Sequence, residues 1–300
     1  MKIKSVTNKI ILSFTLLMLI TTLSFAHKKE IAITIDDLPF VGEYRNFHLN
    51  MMLETLKEQQ VPATGFIIAK EVRNDNWDIL QKFRDAGFGL GNHTYSHANL
   101  NILDTKDYIN EIRKADKILS PVMTEPKYFR YPYLAMSNGE KRNKILCYLA
   151  KKNYQVAPIT VDSKDFVFNQ RLLSVPELNR RSYLGEMQPL YLDFIWQQTL
   201  KAEAHTAYHH NPDQAQILLI HANLLNAYVL PDIIKLYKEK GYTFVTLEDA
   251  LKTFKDSAHC PTTNAKNNVS VKPKLVAQNK PKVNSAPQAD NNIESFVDWD

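Results

Sequence analysis

Two adjacent aspartates and a pair of histidines are the residues with the clearest capacity for chemistry. Asp36 and Asp37 follow the largely apolar run Ile31–Ile35, and His93 and His97 stand four residues apart further along the chain. One carboxylate and two imidazoles suit Zn²⁺ or a similar divalent cation, and three protein ligands leave one coordination position open. A second carboxylate beside that position is what a metal-assisted hydrolase needs for proton transfer. The pattern therefore predicts a hydrolytic metalloenzyme.

The residues around the histidine pair exclude one class of metal hydrolase. A zinc protease with the H-E-x-x-H pattern carries its general base directly after the first histidine, where this chain has Thr94. The four-residue spacing places both rings on one face if the segment turns helically. We expect Thr94 and Ser96 to brace this loop by hydrogen bonding.

An arginine and two tyrosines form a second candidate motif, Arg130-Tyr131-Pro132-Tyr133. A guanidinium near Asp36 would hold that carboxylate ionised and oriented through its fork of donors. The two tyrosines either form a wall of a sugar-binding groove or are half-buried.

A carboxylate and a histidine form the third motif. His221 ends the apolar run Ile217–Ile220, and the segment Asp162-Ser163-Lys164-Asp165 supplies a carboxylate that could orient it. A histidine tuned by a carboxylate is a good general acid near neutral pH. The histidines at positions 205, 209 and 210 are interpreted as surface residues.

Strand-like and helix-like stretches alternate about seven times, which predicts parallel strands joined by crossover helices. The candidate polar residues follow the carboxyl ends of these strands, where the loops of a parallel barrel converge. The predicted strands cover 31–35, 63–69, 88–92, 128–129, 155–161, 216–220 and 243–245. The predicted helices cover 46–60, 78–86, 105–119, 141–152, 191–207, 230–239 and 247–254.

The two ends of the chain have the composition of processing and linker segments. Residues 1–26 combine three lysines, an apolar stretch and Ser24-Phe25-Ala26, which predicts a signal peptide, with an uncleaved membrane anchor as the alternative. The protein is then exported, to the periplasm or the medium. Residues 28–254 form one domain, and the Lys-, Asn- and Pro-rich residues 255–300 predict a disordered tail. The net charge of +5 is modest and does not indicate nucleic-acid binding.

The chain contains two cysteines, Cys147 and Cys260. In an oxidising compartment they could pair and hold the start of the tail against the domain, but the sequence alone leaves the pairing open.

Taken in this order, the motifs resemble those of the polysaccharide deacetylase family, also called the NodB-homology domain or carbohydrate esterase family 4. The resemblance runs from about Ile31 to Leu251. It implies a single α/β domain with an irregular (β/α)7-type barrel. It also implies that Asp37, His93 and His97 bind Zn²⁺, or Co²⁺, Ni²⁺ or Mn²⁺, and that Asp36 is the base.

The same resemblance assigns the remaining roles. Arg130 would position Asp36, Asp165 would tune His221, and His221 would protonate the leaving amine. Tyr131, Tyr133 and Phe166 would contact the substrate. The implied reaction removes N-acetyl, or O-acetyl, groups from a cell-envelope or other polysaccharide. A metal-dependent esterase on the same site and a non-catalytic glycan-binding module are the alternatives, and the oligomeric state is open.

Three features depart from the family's pattern. Leu38-Pro39 follows the aspartates where the family commonly has glycine, and Phe166 stands where it often has tryptophan. A long helical segment also separates Asp165 from His221. None of these departures removes a ligand, the base or the acid, but the inserted segment could reshape the substrate groove.

Overall fold

The computed structural model describes residues 28–40, 44–255 and 260–261 of the chain. The predicted signal peptide lies outside the described residues, as does nearly all of the predicted tail, so both remain predictions. In the part of the chain that is described, no helix combines the length and the apolar character needed to cross a membrane.

The strands form a curled parallel sheet with a seam on one side. Along the sheet their order is β5-β4-β3-β2-β1-β7-β6, with β8 also paired to β1. Every pairing is parallel. The predicted α/β fold, an irregular (β/α)7-type barrel in a single domain, is confirmed. The strands are β1 (Glu30–Leu38), β2 (Ala63–Ile67), β3 (Gly89–Asn92), β4 (Lys127–Phe129), β5 (Tyr154–Val156), β6 (Val161–Asp162), β7 (Gln216–His221) and β8 (Thr243–Phe244).

Helices alternate with these strands and pack on the outside of the sheet. Most match the predicted segments to within a few residues at each end. They are α1 (Arg45–Gln59), α2 (Trp77–Asp85), α3 (Thr105–Leu119), α4 (Gly139–Lys151), α5 (Asp165–Ser174), α6 (Glu177–Tyr208), α7 (Leu224–Glu239) and α8 (Leu247–Lys252).

The segment between Asp165 and His221 differs from the prediction. Helix α5 was not predicted, and α6 begins at Glu177, well before the predicted start at Tyr191. Gly185 and Pro189, which both have low helix propensity, lie inside α6. Tertiary packing overrides them, because α6 buries a continuous stripe at helical spacing. The stripe consists of Met187, Tyr191, Ile195, Thr199, Ala202 and Thr206.

The predicted strand over 155–161 is wrong, because the segment forms two short strands at opposite edges of the sheet. Strand β5 pairs with β4, whereas β6 pairs with β7. Pro158 stands between them and has no backbone N–H to contribute to a ladder. Residues 157–160 therefore cross the seam of the barrel.

Alternating side chains of the strands build two apolar layers. On β1, Ile31, Ile33 and Ile35 belong to the large core under the helices. Ala32 faces the other way, in a smaller core with Ile217 that α8 closes. Side chains two residues apart on a strand face the same side. Asp36, Arg130 and His221 therefore lie on the same side of their strands as the residues of the smaller core, at the carboxyl ends, where they meet at one mouth of the barrel. The pattern of buried residues thus explains why the candidate residues converge.

Candidate active site

A β-bulge at the end of β1 brings both aspartates into the mouth of the barrel. Ile35 pairs with Gly65 and Leu38 with Ile67, so three steps on β1 oppose two on β2. Consecutive strand residues normally face opposite sides, and the extra residue of a bulge changes this alternation. Asp37 has a left-handed backbone with a φ of 64°. The bulge thereby places the Asp36 and Asp37 carboxylates together.

The histidine pair lies on a hydrogen-bonded turn and not on the helical turn that its spacing suggested. Thr94 and His97 have φ values of 65° and 59°, which interrupt any helix. The Ala98 N–H donates to Thr94 Oγ1 at 2.9 Å. Ser96 donates through its N–H and its hydroxyl to Glu111 Oε2, at 2.7 and 2.9 Å. The predicted bracing by Thr94 and Ser96 is confirmed, and it sets the two imidazole centroids 5.0 Å apart.

Asp37, His93 and His97 present three ligand atoms within 4.8 Å of one another. Asp37 Oδ1 lies 3.5 Å from His93 Nε2 and 3.4 Å from His97 Nε2. Two ligand atoms each about 2.1 Å from a tetrahedral Zn²⁺ are about 3.4 Å apart, so these separations match an edge of such a site. Asp37 Oδ1 is buried and has no hydrogen-bond partner among the described residues. The donor set therefore fits a divalent cation.

The protonation of the two imidazoles also fits a metal site. Burial lowers the pKa of His93 well below its usual value and, with the nearby His221, lowers that of His97 to about 4. His93 Nδ1 lies 2.9 Å from the carbonyl oxygen of Arg130. A carbonyl only accepts, so Nδ1 carries the hydrogen and Nε2 keeps its lone pair. Both rings are neutral near pH 7, as ligands must be.

Asp36 and Arg130 form a buried pair beside these ligands. Arg130 Nη1 lies 3.5 Å from Asp36 Oδ2. Arg130 Nη2 donates to Thr34 Oγ1 at 3.1 Å and to the carbonyl of Pro158 at 3.3 Å. Burial raises the pKa of Asp36, and the nearby guanidinium opposes this only in part. Arg130 therefore lies beside Asp36, where the prediction placed it, and its charge lowers the Asp36 pKa against the larger effect of burial.

Asp165 and His221 lie in direct contact, as the third motif predicted. His221 Nδ1 lies 2.6 Å from Asp165 Oδ1, and the backbone N–H of His221 donates to Asp165 Oδ2 at 2.6 Å. Burial alone would lower the pKa of His221, but the Asp165 carboxylate, with Asp37 and Asp36, raises it to about 10. His221 is consequently protonated near neutral pH and can donate. Asp162, the other carboxylate of that motif, pairs with Lys164 Nζ at 2.8 Å.

Three residues that hold Asp165 and His221 in place were not identified by the sequence analysis. Asn223 Nδ2 donates to Asp165 Oδ2 at 3.0 Å, and Asn226 Nδ2 donates to the same oxygen. Asn226 also donates to the carbonyl of His221 at 2.9 Å, and its own Oδ1 accepts from the Tyr191 hydroxyl at 2.9 Å. Asn223 caps α7, a role its residue type could have indicated. The other two contacts depend on α5, α6 and α7 meeting in space, which no local pattern encodes.

The three aromatic residues assigned to substrate have different surroundings. Tyr133 is 65% exposed, and its ring centroid lies 4.4 Å from that of His97. Phe166 is 52% exposed and lies 6.2 Å from the His221 ring. Tyr131 is only 2% exposed and stacks on Tyr108. The assignment of the Tyr131 side chain to a groove wall is therefore wrong, because the ring belongs to the core.

Comparisons with known proteins support the resemblance read from the motifs. The family model described as polysaccharide deacetylase matches residues 25–156, which include the aspartates, the histidine pair and Arg130. A peptidoglycan-N-acetylglucosamine deacetylase of Bacillus cereus is 31% identical over 47% of this chain and 47% of its own length. A chitin deacetylase of Arthroderma benhamiae is 30% identical over 45% of this chain and 35% of its own length. The chain thus spans less than half of either relative.

Solved structures share the fold over most of the domain. A structure described as T48 deacetylase with substrate aligns with a TM-score of 0.53 at 23% identity, over 79% of this chain and 98% of its own. A Bacillus anthracis protein described as a CE4 family pseudoenzyme aligns with a TM-score of 0.54 at 22% identity, over 77% of this chain and 69% of its own. At these identities the likeness concerns the fold alone. Together with the family match, it confirms the resemblance to the polysaccharide deacetylase family.

Proposed function

We propose that this chain is an exported, metal-dependent deacetylase that hydrolyses N-acetyl, or O-acetyl, groups of a cell-envelope or other polysaccharide. One observation carries the proposal. The Asp37–His93–His97 cluster lies beside a buried carboxylate, Asp36, at the same mouth as an imidazolium held by Asp165. Ligands, a base and an acid together are what metal-assisted hydrolysis of an amide requires.

The metal ligands, the base and the arginine each have a separate role in the proposed reaction. A divalent cation held by Asp37, His93 and His97 would polarise the acetyl carbonyl and acidify water. Asp36 takes the proton of the attacking water, and its raised pKa suits it to that task. Arg130 keeps the Asp36 carboxylate in place during the transfer.

The proton that completes the reaction comes from His221. Its raised pKa keeps it charged at neutral pH, and Asp165 orients the ring so that Nε2 remains free to protonate the leaving nitrogen. With its side chain in the core, Tyr131 can contribute only through its backbone, whose N–H is a candidate donor to the developing oxyanion.

The substrate class and the location rest on separate observations. The two relatives are named for chitin and for peptidoglycan N-acetylglucosamine, both acetylated glycans. Exposed Tyr133 and Phe166 beside the metal ligands and the acid offer flat apolar faces for sugar rings. Cys147 and Cys260 form a disulfide, which agrees with an oxidising compartment and with the basic and apolar leader.

The proposal is tested by acetate release from acetylated chitooligosaccharides, peptidoglycan and small acetyl esters, using the metal-stripped and the Zn²⁺-restored protein. Zinc-dependent release from N-acetyl sugars is expected. Asp36→Asn should abolish it while the bound zinc, measured directly, stays at the wild-type amount. Release from esters alone would instead establish the esterase.

A non-catalytic glycan-binding protein is the second candidate, because a protein of the same fold is described as a pseudoenzyme. This candidate predicts no acetate from any substrate with metal bound. It also predicts that Asp36→Asn leaves glycan affinity unchanged. The complete set of ligands, base and acid in this chain favours the enzyme.

A further inference from the structure

A large groove lies beside the active site and is lined in part by the inserted helix α6. It has a volume of about 980 Å³, at the upper end of the range of about 300–1,000 Å³ that ligand sites occupy. Its lining comes from Tyr44 and the start of α1, and from α5, α6 and α7. The lining residues are Tyr44, Phe47, His48, Leu172, Leu173, Glu177, Arg180, Arg181, Leu184, Gln188, Leu224 and Tyr228.

The chain path connects this groove to the mouth of the barrel. Leu224 lines it and follows the candidate acid His221 by three positions. Helix α5, which supplies two lining leucines, begins at Asp165 itself. Helix α1 begins a few residues after the bulge that carries Asp36 and Asp37. The groove therefore shares helices α5 and α7 with the segments that carry Asp165 and follow His221.

Aromatic side chains form one wall of the groove. Tyr44 is 70%, Phe47 63% and Tyr228 45% exposed. They gather around His48, whose ring centroid lies 5.4 Å from that of Phe47 and 5.8 Å from that of Tyr228. Exposed aromatic faces of this kind suit the apolar faces of sugar rings.

The wall that α6 contributes carries two arginines, Arg180 and Arg181. Arg180 is anchored, since its Nε donates to the carbonyl of Val175 at 3.0 Å. Arg181 is exposed, and neither arginine forms an ion pair with any carboxylate that the structure describes. Glu177 is the one acidic side chain among the lining residues. A guanidinium fork that is not paired with a carboxylate of the protein is suited to a carboxylate of a ligand.

We infer that this groove binds a carboxylate-bearing segment of the glycan, so that the enzyme selects polymers in which acidic sugars accompany N-acetyl sugars. The inference rests on the proposed function for the identity of the polymer. A neutral glycan would use the aromatic wall and leave the two guanidinium groups unused. The inserted helix would then supply substrate selection.

Binding by the Asp36→Asn protein tests this inference apart from turnover. The probes are a hyaluronan oligosaccharide, which alternates N-acetylglucosamine with glucuronate, and a neutral chitooligosaccharide of equal length. The hyaluronan oligosaccharide should bind roughly three- to tenfold more tightly, as expected for a part-exposed charged contact, and the difference should shrink at high salt. Arg181→Gln should remove the difference, whereas Arg142→Gln, an exposed arginine on α4, should preserve it.

A second variant separates the two walls. Phe47→Ala should weaken both oligosaccharides alike, because stacking does not depend on charge. Equal affinity of the two probes for the unaltered groove would overturn the inference, as would equal effects of Arg181→Gln and Arg142→Gln. If the groove instead held a second copy of the chain, Phe47→Ala would change the oligomeric state without changing either affinity. Acetate release by the wild-type enzyme is measured separately. Failure of the proposed deacetylase function can therefore be told apart from failure of the inference about the groove.

Discussion

Asp165 holds His221 at two points, one on the ring and one on the backbone. Its Oδ1 lies 2.6 Å from His221 Nδ1, and its Oδ2 accepts the backbone N–H of His221 at 2.6 Å. The His221 ring is thereby fixed relative to the end of β7, and Asp165 itself is fixed as the first residue of α5. The orientation of the His221 ring thus depends on how α5 packs against the strands.

Replacing Asp165 with asparagine should disable the acid at neutral pH. The carboxylate is what raises the pKa of His221 to about 10 against the effect of burial. Without this carboxylate, the effect of burial lowers the pKa of His221. Because His221 then loses its proton at lower pH, the alkaline limb of the pH–rate profile moves to lower pH. We expect kcat at neutral pH to fall roughly 100-fold or more, as for loss of a general acid. Asp162→Asn, whose carboxylate pairs with Lys164, is the matched control and should leave the limb in place.

The same pKa shift makes stability depend on pH. The folded-state pKa of His221 lies above the usual histidine value of 6.5, at about 10. The folded state therefore binds the proton more tightly, and this contribution is fully present below about pH 6.5 and is lost as the pH rises toward 10. Denaturant unfolding of the metal-free protein across this window should show the free energy of unfolding decreasing. Asp165→Asn should flatten that decrease, and an unchanged slope would contradict the assignment.

Tyr191 should affect catalysis although it lies away from the substrate. Its hydroxyl holds Asn226 Oδ1 at 2.9 Å, and Asn226 in turn donates to Asp165 and to the His221 carbonyl. Tyr191→Phe should lower kcat several-fold with little change in KM and shift the alkaline limb. Tyr237→Phe is a matched control, because Tyr237 is equally buried and makes a similar bond to Thr199 at 2.7 Å without reaching Asp165. Equal kinetic effects from both variants would indicate a purely structural role.

Removing one histidine ligand should weaken metal binding strongly. His97 Nε2 lies 3.4 Å from Asp37 Oδ1 in the proposed metal cluster. Loss of a residue that only hydrogen-bonds to a metal ligand costs about 10–100-fold in metal affinity, so loss of a ligand through His97→Ala should cost more than roughly 100-fold. Competition with a chelator measures this affinity directly. His210→Ala changes an exposed histidine outside the site and should leave the affinity unchanged.

The disulfide should contribute substantially to stability. Cys147 and Cys260 are 113 residues apart in sequence, so their bond closes a long loop. Loss of such a bond typically costs about 2–5 kcal/mol. Cys147→Ser should lower the free energy of unfolding by that amount. Cys260→Ser should give the same loss, and the double variant should be no worse than either. Additive losses would show that the thiols act separately.

The sequence indicated the candidate site residues more directly than the backbone geometry that brings them together. Asp36, Asp37, His93 and His97 could be found because metal and acid–base chemistry restricts residue types. The left-handed turn at His97 and the bulge at Asp37 could not, because non-glycine residues rarely adopt such backbones and no pattern marks them. Asn226 and Tyr191 gave no signal either, since their roles arise only when α6 and α7 pack together. The division of residues 155–161 into two strands could not be predicted either, because it depends on Pro158 and on pairing with β4 and β7, which are distant in sequence.

The seam of the barrel has a consequence for how this protein avoids aggregation. The two strands that border it, β5 and β6, are three and two residues long. An unpaired strand edge is a template for another chain, and very short edge strands are one means by which natural sheets prevent such pairing. The crossing segment begins with Ala157-Pro158, and the Pro158 carbonyl is already engaged by Arg130. The open seam thus exposes little backbone on which a second chain could extend the sheet.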